Sequence, residues 1–252
     1  MWSKERHKRI LHVLEASGQI SAHDLAAMLG VSRETVRRDL VDLEDDGLID
    51  RVHGGALLSQ ACVEPPFRKR KDKQIRAKQD IARKAVDLVL PGQTVLVDAG
   101  TTTSVFAQEL AKLTGITVIT NSIDIATTIQ TSGNKIELLL LGGAVVSDVP
   151  ATYGELTLSE IRRFHADLAF VAPVALDGEK GAFDFDLHEA AVAGAMIDQS
   201  GEAVLLVDHT KLGQTSRVKY CDPAQIDVLV TDKSAPEAAL QAFRDRGTRV
   251  IV

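Results

Sequence analysis

Three arginines in the segment SRETVRRDL, positions 32–40, are the side chains best suited to bind a polyanion: Arg33, Arg37 and Arg38. A guanidinium group can read guanine through two hydrogen bonds or grip a phosphate, and the sequence leaves open which arginine does which. The segment also carries Ser32 and Thr35 at its N-terminal end, where DNA-reading helices touch base edges. This combination predicts contact with a nucleic acid.

A helix has to position these side chains, and the apolar spacing predicts one. Val36, Leu40 and Leu43 recur at intervals of four and three, so they share one face that can be buried. Ser32 is the expected N-cap, because its hydroxyl can accept a hydrogen bond from a first-turn amide. Gly47 is expected to end the helix in the left-handed conformation. The arginines then face outward.

Two further helices are predicted upstream. Ser21, followed three residues later by Asp24, caps one of them, and Gly30 makes the tight turn into the arginine helix. An earlier helix over residues 3–16 ends at Gly18. The apolar side chains expected to share one small core with the arginine helix are Ile10, Val13, Leu14, Leu25, Met28 and Leu29.

A short hairpin follows the arginine helix. Residues 48–52 alternate weakly like a strand, and Gly54 and Gly55 are expected to supply the positive φ angles of a tight turn. Arg51 and His53 would lie on this wing, near the DNA backbone or the minor groove. Each piece alone has an ordinary explanation as a solvated face or a simple turn. Together, in this order, they predict a winged helix-turn-helix.

The basic and acidic side chains of this module must lie on different faces if it is to bind DNA. Residues 1–60 contain eight Lys and Arg against ten Asp and Glu, so the module is not basic overall. Asp39, Asp42 and residues 44–46 are therefore expected to point away from DNA.

A linker separates this module from the rest of the chain. Two prolines in EPPF, positions 64–67, halt regular structure. Nine basic side chains in residues 61–84 could hold DNA phosphates, but the apolar spacing over residues 75–88 favours an amphipathic helix whose basic face is simply solvated. We predict a DNA-binding domain over residues 1–57, a linker over 58–74 and an effector-sensing domain over 75–252.

The larger domain alternates helical stretches with apolar strands. Near-continuous apolar strands are typical of a parallel sheet covered by helices on both faces, so an α/β fold is expected. The predicted strands are residues 94–98, 117–120, 136–141, 168–172, 203–208, 227–231 and 249–252.

Several of these strands end in small polar residues that open a loop, most clearly DAGTTTS at 98–104, TNS at 120–122 and LGG at 141–143. Ligands of open α/β sheets bind at the carboxyl ends of strands, so these loops are expected to line one crevice. In DAGTTTS, Gly100 allows close approach, the threonines offer hydroxyls, and a helix start directs its positive end at the loop. These three features favour the binding of a phosphate group at the DAGTTTS loop. A capped helix start explains the same residues equally well, and the P-loop and dinucleotide patterns are missing.

Composition and cysteine spacing limit the class of protein to which the chain can belong. With 45% hydrophobic and 25% charged residues, the 252-residue chain is ordinary for a globular protein, and no apolar run is long enough to span a bilayer. Cys62 and Cys221 lack the spacing of a zinc site or a disulfide framework. We expect a cytoplasmic protein without a cofactor or a bound metal.

Motifs in both domains resemble those of one protein family. ERHKRI, SRETVRRDL and RVHGGA lie in the first domain, and DAGTTT, TNS, LGG, Gly154-Glu155, FDFDLHEA and DHTKLG follow in the second. With these motifs the chain resembles the DeoR family of bacterial transcriptional repressors, and looks closest to its glycerol-3-phosphate repressor branch. The resemblance implies a sensor domain similar in fold to sugar-phosphate isomerases and CoA transferases.

The resemblance also implies an effector pocket. Its residues would be Asp98, Gly100, Thr101, Thr102, Thr103, Asn121, Gly142, Gly143, Glu155, Glu189 and Lys211. Lys211 would pair with a phosphate, and Asp98 and Glu189 would accept hydrogen bonds from sugar or polyol hydroxyls. The chain departs from the family at Ala193-Gly194, where members commonly carry a Lys-Arg pair.

The expected function is that of a repressor of a carbohydrate or polyol catabolic operon. A phosphorylated sugar or polyol would release it from double-stranded operator DNA. Two-fold symmetric half-sites imply a homo-oligomer, either a dimer or a tetramer. The alternatives are an activator with the same DNA contacts, and a sugar-phosphate isomerase or CoA-transferase-like enzyme in which Asp98, Glu189 or Lys211 does acid-base chemistry.

Overall fold

The structure, a computed structural model, describes residues 3–45, 48–52, 54–58 and 66–252. The chain divides into two compact units, Met1–Glu64 and Pro65–Val252. Each unit is described by itself below.

The first unit combines helices with a small antiparallel sheet. In chain order its described elements are α1 (Ser3–Ser17), β1 (Gln19–Ser21), α2 (Ala22–Leu29), α3 (Arg33–Asp45), β2 (Ile49–Val52) and β3 (Gly55–Leu58). Strand β3 lies between β1 and β2 and pairs with both. Helices α2 and α3 followed by the β2–β3 hairpin confirm the predicted winged helix-turn-helix. Strand β1 was not predicted, because three residues are too few to show a period.

The core of this unit agrees with the sequence except at Met28. The buried side chains from its helices include Ile10, Leu14, Leu25, Leu29, Val36, Leu40 and Leu43. Val13 is only half-buried. Met28 is 58% exposed, so its predicted place in the core is wrong. The buried face of α2 is centred on Leu25, Ala26 and Leu29, and Met28 falls to one side of that stripe.

Polar caps and glycines fix the helix ends as predicted. Ser21 and Ser32 each accept, at Oγ, a hydrogen bond from the amide three residues further on, at 3.0 and 3.1 Å. Gly30 ends α2 in the left-handed conformation with φ 66°. Gly18, after α1, has φ 72°. The expected stop at Gly47 lies outside the described residues.

The two hairpin glycines serve different purposes. Gly54 has φ 88°, as the tight turn requires. Gly55 lies in β3 without a positive φ, so the expectation that it supplies one is wrong. A Cβ on Gly55 would lie 2.3 Å from the carbonyl oxygen of Ile20. Glycine is needed there because the backbone of β1 approaches β3 too closely for a side chain.

An ion pair braces α1 against α3. Arg6 donates from Nε and Nη2 to the two carboxylate oxygens of Asp39, at 2.7 and 2.8 Å, and His7 Nε2 lies 3.2 Å from one of them. Asp39 is 2% exposed. Burial by itself would raise the pKa of Asp39, but the hydrogen bonds and charge of Arg6 outweigh it and the pKa is lowered. Asp39 is therefore an internal partner of α1.

The second unit alternates strands and helices. In chain order these are α4 (Phe67–Asp72), α5 (Ile75–Val86), β4 (Thr94–Val97), α6 (Thr101–Leu110), β5 (Ile116–Thr120), α7 (Ile123–Thr131), β6 (Ile136–Leu140), α8 (Glu155–Ile161), β7 (Ala166–Val171), β8 (Ala175–Asp177), β9 (Gly181–Asp184), α9 (Leu187–Asp198), β10 (Ser200–Leu206), β11 (Val218–Cys221), β12 (Val228–Val230), α10 (Glu237–Arg244) and β13 (Arg249–Ile251). Short 3-10 turns lie at His209–Lys211 and Pro223–Gln225.

Within residues 66–252, seven parallel strands form the central sheet, in the order β13-β12-β10-β7-β4-β5-β6. Each of the seven predicted strands corresponds to one of them. Apolar clusters cover both faces: Val95 and Val97 pack in one cluster and Leu96, between them, in another. The predicted α/β fold with a helix-covered parallel sheet is confirmed.

A second, antiparallel sheet was not predicted. It consists of β11, β9 and β8. Its strands have three or four residues, too few to separate alternation from chance. Gly181 has φ 99°, and a Cβ there would lie 2.0 Å from the carbonyl oxygen of Cys221.

Helix α4 occupies part of the stretch predicted as linker. Phe67 is 6% exposed and packs with Ala151 and Tyr153 in an apolar cluster. Its amide donates to Asp148 Oδ2 at 2.5 Å. Residues 67–72, within the stretch predicted as linker, are thus helical, and their aromatic ring is buried in the second unit.

Candidate functional site

Helix α3 turns its polar face to solvent. The side chains of Arg37 and Arg38 are 64% and 77% exposed. Ser32 and Arg33 are also exposed, and Thr35 is half-buried. The opposite face of α3 is in the core, so the predicted DNA-binding residues of this helix share one accessible surface.

Glu34 holds both exposed arginines. Arg37 donates to its carboxylate from Nε and Nη2 at 3.0 and 3.2 Å, and Arg38 Nε lies 3.5 Å from Oε1. The hydrogen bonds from Arg37 lower the pKa of Glu34. Exposed ion pairs contribute little stability. A phosphate can therefore replace Glu34 at small cost.

The wing contributes one described side chain of the two predicted. Arg51 Nη1 lies 3.4 Å from Glu44 Oε2, and its amide donates to Oε1 at 3.3 Å. His53 lies outside the described residues. On the helix surface, Arg33 Nη2 lies 2.6 Å from His23 Nδ1, a neighbour that the sequence did not suggest.

The second candidate site lies where the order of the strands reverses. From β4 the sheet continues to β5 and β6 on one side, and from β7 to β10, β12 and β13 on the other. Open α/β sheets bind ligands at the carboxyl ends of the strands at such a reversal. The DAGTTT loop starts here: a Cβ on Gly100, after β4, would lie 3.6 Å from the Cβ of Ala172, after β7.

The N-terminus of α6 forms one wall of this crevice. Gly100 is its N-cap and offers no side chain, so no side-chain cap satisfies the first-turn amides of α6. Thr101, Thr102 and Thr103 are at most 5% exposed. Thr103 Oγ1 donates to the Gly100 carbonyl at 3.0 Å. An uncapped helix start of this kind attracts an anion.

Lys78 is a cation at this wall that the sequence analysis missed. It is 3% exposed, and its Nζ donates to Thr101 Oγ1 at 2.9 Å and to the Arg70 carbonyl at 2.6 Å. Burial and then the nearby charge of Lys211 lower the pKa of Lys78 to about 8. At neutral pH the side chain is therefore mostly charged.

The spacing along α5 contained a signal for Lys78. The expectation of a fully solvated basic face is wrong at this position. The residues on the buried face of α5, at intervals of three, one and three, are Lys78, Ile81, Ala82 and Ala85.

Lys211 reaches the crevice from another element. Its Nζ donates to the carbonyl of Pro173, shortly after β7, at 2.8 Å. The turn that carries it is capped by Asp208, whose Oδ1 accepts from the Thr210 amide at 3.0 Å. Since the charge of Lys211 acts on Lys78, the two ammonium groups share one electrostatic environment.

Carboxylates from three elements gather near the same place. Asp98 follows β4 and is 5% exposed, Asp184 ends β9 and is 4% exposed, and Glu189 lies on α9. Burial, with the neighbouring charges of Asp184 and Glu189, raises the pKa of Asp98 well above its usual value. Ser147 Oγ donates to Glu189 Oε1 at 3.3 Å. Such groups suit hydrogen bonds from ligand hydroxyls.

Asn121 is fully buried after β5. Its Nδ2 donates to the Thr152 carbonyl at 3.1 Å. Its Oδ1 has no hydrogen-bond partner within the described residues, and a buried acceptor of this kind is costly unless something donates to it. Asn121 thus offers an acceptor to a bound molecule or a water.

The remaining predicted pocket residues are two glycines, Gly142 and Gly143, and the exposed Glu155. The Gly142 amide donates to Glu160 Oε2 at 2.6 Å. Gly143 has φ 146°, and a Cβ there would lie 2.2 Å from Thr157 Oγ1, so this loop packs tightly on α8. Glu155 starts α8 as an exposed residue and makes no hydrogen bond or ion pair among the described residues.

Together the units define a class of protein: a helix-turn-helix DNA-binding unit in one chain with an α/β unit that has a ligand crevice. Comparison with protein families gives the same division. The DeoR-like helix-turn-helix domain matches residues 6–61, and the DeoR C terminal sensor domain matches residues 73–233. The chain belongs to the DeoR family, which confirms the resemblance seen in its motifs.

Curated relatives match along nearly the whole chain. The glycerol-3-phosphate regulon repressor of Escherichia coli (strain K12) is 31% identical over 245 residues, 97% of each chain. The HTH-type transcriptional regulator GolR of Listeria innocua serovar 6a is 34% identical over 253 residues, 99% of this chain and 98% of that one. The HTH-type transcriptional repressor GlcR of Bacillus subtilis (strain 168) is 32% identical, over 100% and 97%.

Solved structures give only distant likenesses. A ribose 5-phosphate isomerase from Methanocaldococcus jannaschii is 18% identical with a TM-score of 0.39, over 53% of this chain and 52% of that one. The eIF2B beta structure from Chaetomium thermophilum is 16% identical with a TM-score of 0.47, over 85% and 60%. In the part of the chain that the structure describes, no helix is long and apolar enough to cross a membrane.

Proposed function

We propose that the protein represses a carbohydrate or polyol catabolic operon by binding its operator. The observation that carries this proposal is the solvent-facing surface of α3, where the exposed Glu34 is the only partner of Arg37 and Arg38 among the described residues. The curated relatives named above are regulators and repressors, which supports repression over activation.

In this proposal α3 enters the major groove. Arg37 and Arg38 contact base edges or phosphates there, while Ser32, Arg33 and Thr35 approach the DNA from the start of the helix. Arg51 and His53 would place the wing near the backbone or the minor groove. Half-site recognition requires at least two copies, so the active form is a homo-oligomer.

The effector is proposed to be a phosphorylated sugar or polyol. Its phosphate would sit at the N-terminus of α6, against the amides of residues 101–103, with Lys78 and Lys211 as counter-charges. Asp98, Glu189 and Asn121 would accept hydrogen bonds from its hydroxyls. Glycines 100, 142 and 143 would shape the loops around it, and Glu155 remains the predicted pocket residue with the least structural support. The effector needs a coupling free energy of about 1 to 3 kcal/mol against DNA binding to act as an inducer.

Binding of the full-length protein to duplexes enriched from a random pool tests the proposed operator binding. We expect an enriched sequence with two related half-sites, bound at least about a thousandfold more tightly than random duplex. Equal affinity for enriched and random duplexes would contradict the proposal.

The proposed effector is tested by release of the bound duplex. Triose, pentose, hexose and polyol phosphates are compared with their unphosphorylated counterparts at constant ionic strength, because DNA binding itself depends on salt. Release by a phosphorylated compound and not by its counterpart supports the phosphate subsite. Release by the unphosphorylated compound alone contradicts it.

A second candidate function is supported by one observation. The buried Asp98, with its raised pKa beside a phosphate subsite, has the character of a general acid or base, as an aldose-ketose isomerase requires. The same phosphate panel, assayed for turnover, separates the candidates. We expect no turnover; a rate that vanishes in Asp98→Asn while the phosphate still binds would favour the enzyme.

A further inference from the structure

Helix α4 has an unusual position in the chain. It is the first element of the second unit, and residues 59–66 connect it in sequence to β3 of the DNA-binding unit. The way in which α4 is held therefore sets where the tether of the winged helix-turn-helix is anchored. What holds α4 is a set of contacts with the loops around the crevice.

The first of these contacts is Lys78. A single ammonium group donates both to the Arg70 carbonyl, in α4, and to Thr101 Oγ1, at the start of α6. The proposed phosphate position is thus one side chain away from α4. A lysine bond to a phosphate joins two opposite charges, whereas its bond to a carbonyl has a full charge on one side only. An anion at α6 competes with Arg70 for this group.

The second contact is Phe67. Its ring is buried beside Ala151 and Tyr153, and its amide donates to Asp148 Oδ2. Asp148 belongs to the loop between β6 and α8, which starts at the LGG motif. The residue before it, Ser147, donates to Glu189 of the crevice.

The third contact is an ion pair between Lys71 and Asp124. Lys71 Nζ lies 3.1 and 3.2 Å from the two carboxylate oxygens. Asp124 lies in the first turn of α7, directly after the TNS motif. The three loops predicted to line the crevice thus each have a neighbour that contacts α4.

The joint between α4 and α5 is held in a strained conformation. Gln74 has φ 55° and is the one non-glycine residue with a positive φ among the residues that the structure describes. A residue with a Cβ stays in this region only when its surroundings hold it there. Loosening α4 would allow Gln74 to relax, so the joint favours movement once the contacts weaken.

We propose that α4 transmits effector binding to the DNA-binding unit: an anion at the N-terminus of α6 draws Lys78 away from the Arg70 carbonyl and loosens α4. The inference rests on the proposed function and adds its route of regulation. The docked α4 is the operator-binding state. The loosened α4 is the released state.

Hydrogen exchange of the full-length protein without DNA tests the first step, with inorganic phosphate as the probe. We expect phosphate to slow exchange of the amides at residues 101–104 and to speed exchange in α4 at least about threefold, because its hydrogen bonds open more often. Lys78→Met should abolish both effects, while Lys84→Met, in the same helix but bonded to Asp80, should keep them. Protection at α6 with unchanged or slower exchange in α4 would overturn the inference, as would no response to phosphate in the unaltered protein.

Thermodynamic reciprocity tests the second step without touching a proposed phosphate ligand. The double variant Asp124→Asn, Asp148→Asn removes the negative charge of two side chains that accept hydrogen bonds from α4. It should bind the enriched duplex about tenfold more weakly and bind phosphate more tightly, because it shifts the population toward the loosened state. The control Asp87→Asn removes an exposed carboxylate of the same unit and should change neither affinity. Weaker DNA binding with unchanged phosphate affinity would refute the coupling.

The outcomes separate this inference from the proposed function. If no duplex is preferred, the operator proposal fails, whereas the exchange experiment needs no DNA. If the duplex is bound and released by phosphate compounds while α4 never responds, the repressor stands and the route through α4 is wrong.

Discussion

The arginines of α3 and the lysines of the crevice carry the same charge in opposite settings. Arg37 and Arg38 are mostly exposed and share one exposed carboxylate. Lys78 is buried and donates to a threonine hydroxyl and a backbone carbonyl. The exposed pair is screened and easily exchanged, which suits a surface that must bind a long polyanion. The buried lysine is desolvated, so one small anion changes its balance of interactions strongly.

This contrast predicts where substitutions have large effects. In the DNA-binding unit, affinity is spread over several exposed cations, and stability depends on the buried Arg6–Asp39 brace. In the second unit the buried Lys78 is the cation proposed to connect the effector to α4.

The largest effect is expected for the double variant Arg37→Ala, Arg38→Ala. It should weaken binding of the enriched duplex about a hundredfold, since each base-reading arginine contributes about 1 to 3 kcal/mol of discrimination. Fluorescence anisotropy of a labelled duplex measures it. The control Arg162→Ala, Arg163→Ala removes two exposed arginines of the second unit and should have a far smaller effect. Equal losses of affinity in both double variants would mean that net charge determines DNA binding and that the position of Arg37 and Arg38 on α3 does not.

Next is Asp39→Asn, which should lower the free energy of unfolding of the first unit by about 2 kcal/mol because it leaves Arg6 facing a neutral amide. Hydrogen exchange of α1 and α3 in the full chain reports it. Since the pKa of Asp39 is lowered in the folded state, its contribution is present above the unfolded pKa and is lost as pH falls through the folded pKa. Asp42→Asn, at a 61% exposed side chain, should change little.

A pH dependence should follow from Lys78. Its pKa of about 8 means that its charge is lost between pH 7 and 9, so the affinity for sulfate, which does not titrate there, should fall about tenfold. Stability should change in the other direction: the unfolded chain binds more protons between pH 8 and 10.5, so folding gains from raising the pH in that window. Titration calorimetry with sulfate at three pH values between 7 and 9 measures this affinity. A flat profile, or the same profile in Lys78→Met, would show that Lys78 is not the counter-charge.

The smallest effect is expected for Glu34→Gln. It removes the carboxylate that competes with phosphates for Arg37 and Arg38, and random duplex should bind about threefold more tightly. Glu5→Gln breaks a similar exposed pair with Arg9 on α1 and serves as the control. Weaker binding in Glu34→Gln would mean that Glu34 orients the arginines for DNA.

The sequence predicted the parts of the fold that depend on local chemistry. Periodicity located the seven strands of the parallel sheet, and the caps at Ser21 and Ser32 follow from side chains that bond their own first turn. The sheet of β8, β9 and β11 was missed because its strands are short and because β11 pairs with β9 across more than thirty positions of sequence.

For the candidate site, the sequence placed the loops but not the key cation. A lysine on a basic helix is expected to be solvated, and Lys78 is buried only because α6 supplies Thr101 and α4 supplies a carbonyl. Met28 and Gly55 show the same limit: one lies just outside a buried stripe, and the other is determined by a strand that packs against it. Tertiary contacts decided each of these positions.

The reversal of strand order between β4 and β7 has a practical consequence for building biosensors. The walls of the crevice are loops that follow the strands, and their exposed positions can be varied without repacking the sheet. A library confined to exposed positions such as 145, 146 and 210 would explore new inducers while α3, the proposed reader of the operator, stays constant. Selection for reporter expression in the presence of a chosen metabolite would then isolate variants that respond to that metabolite.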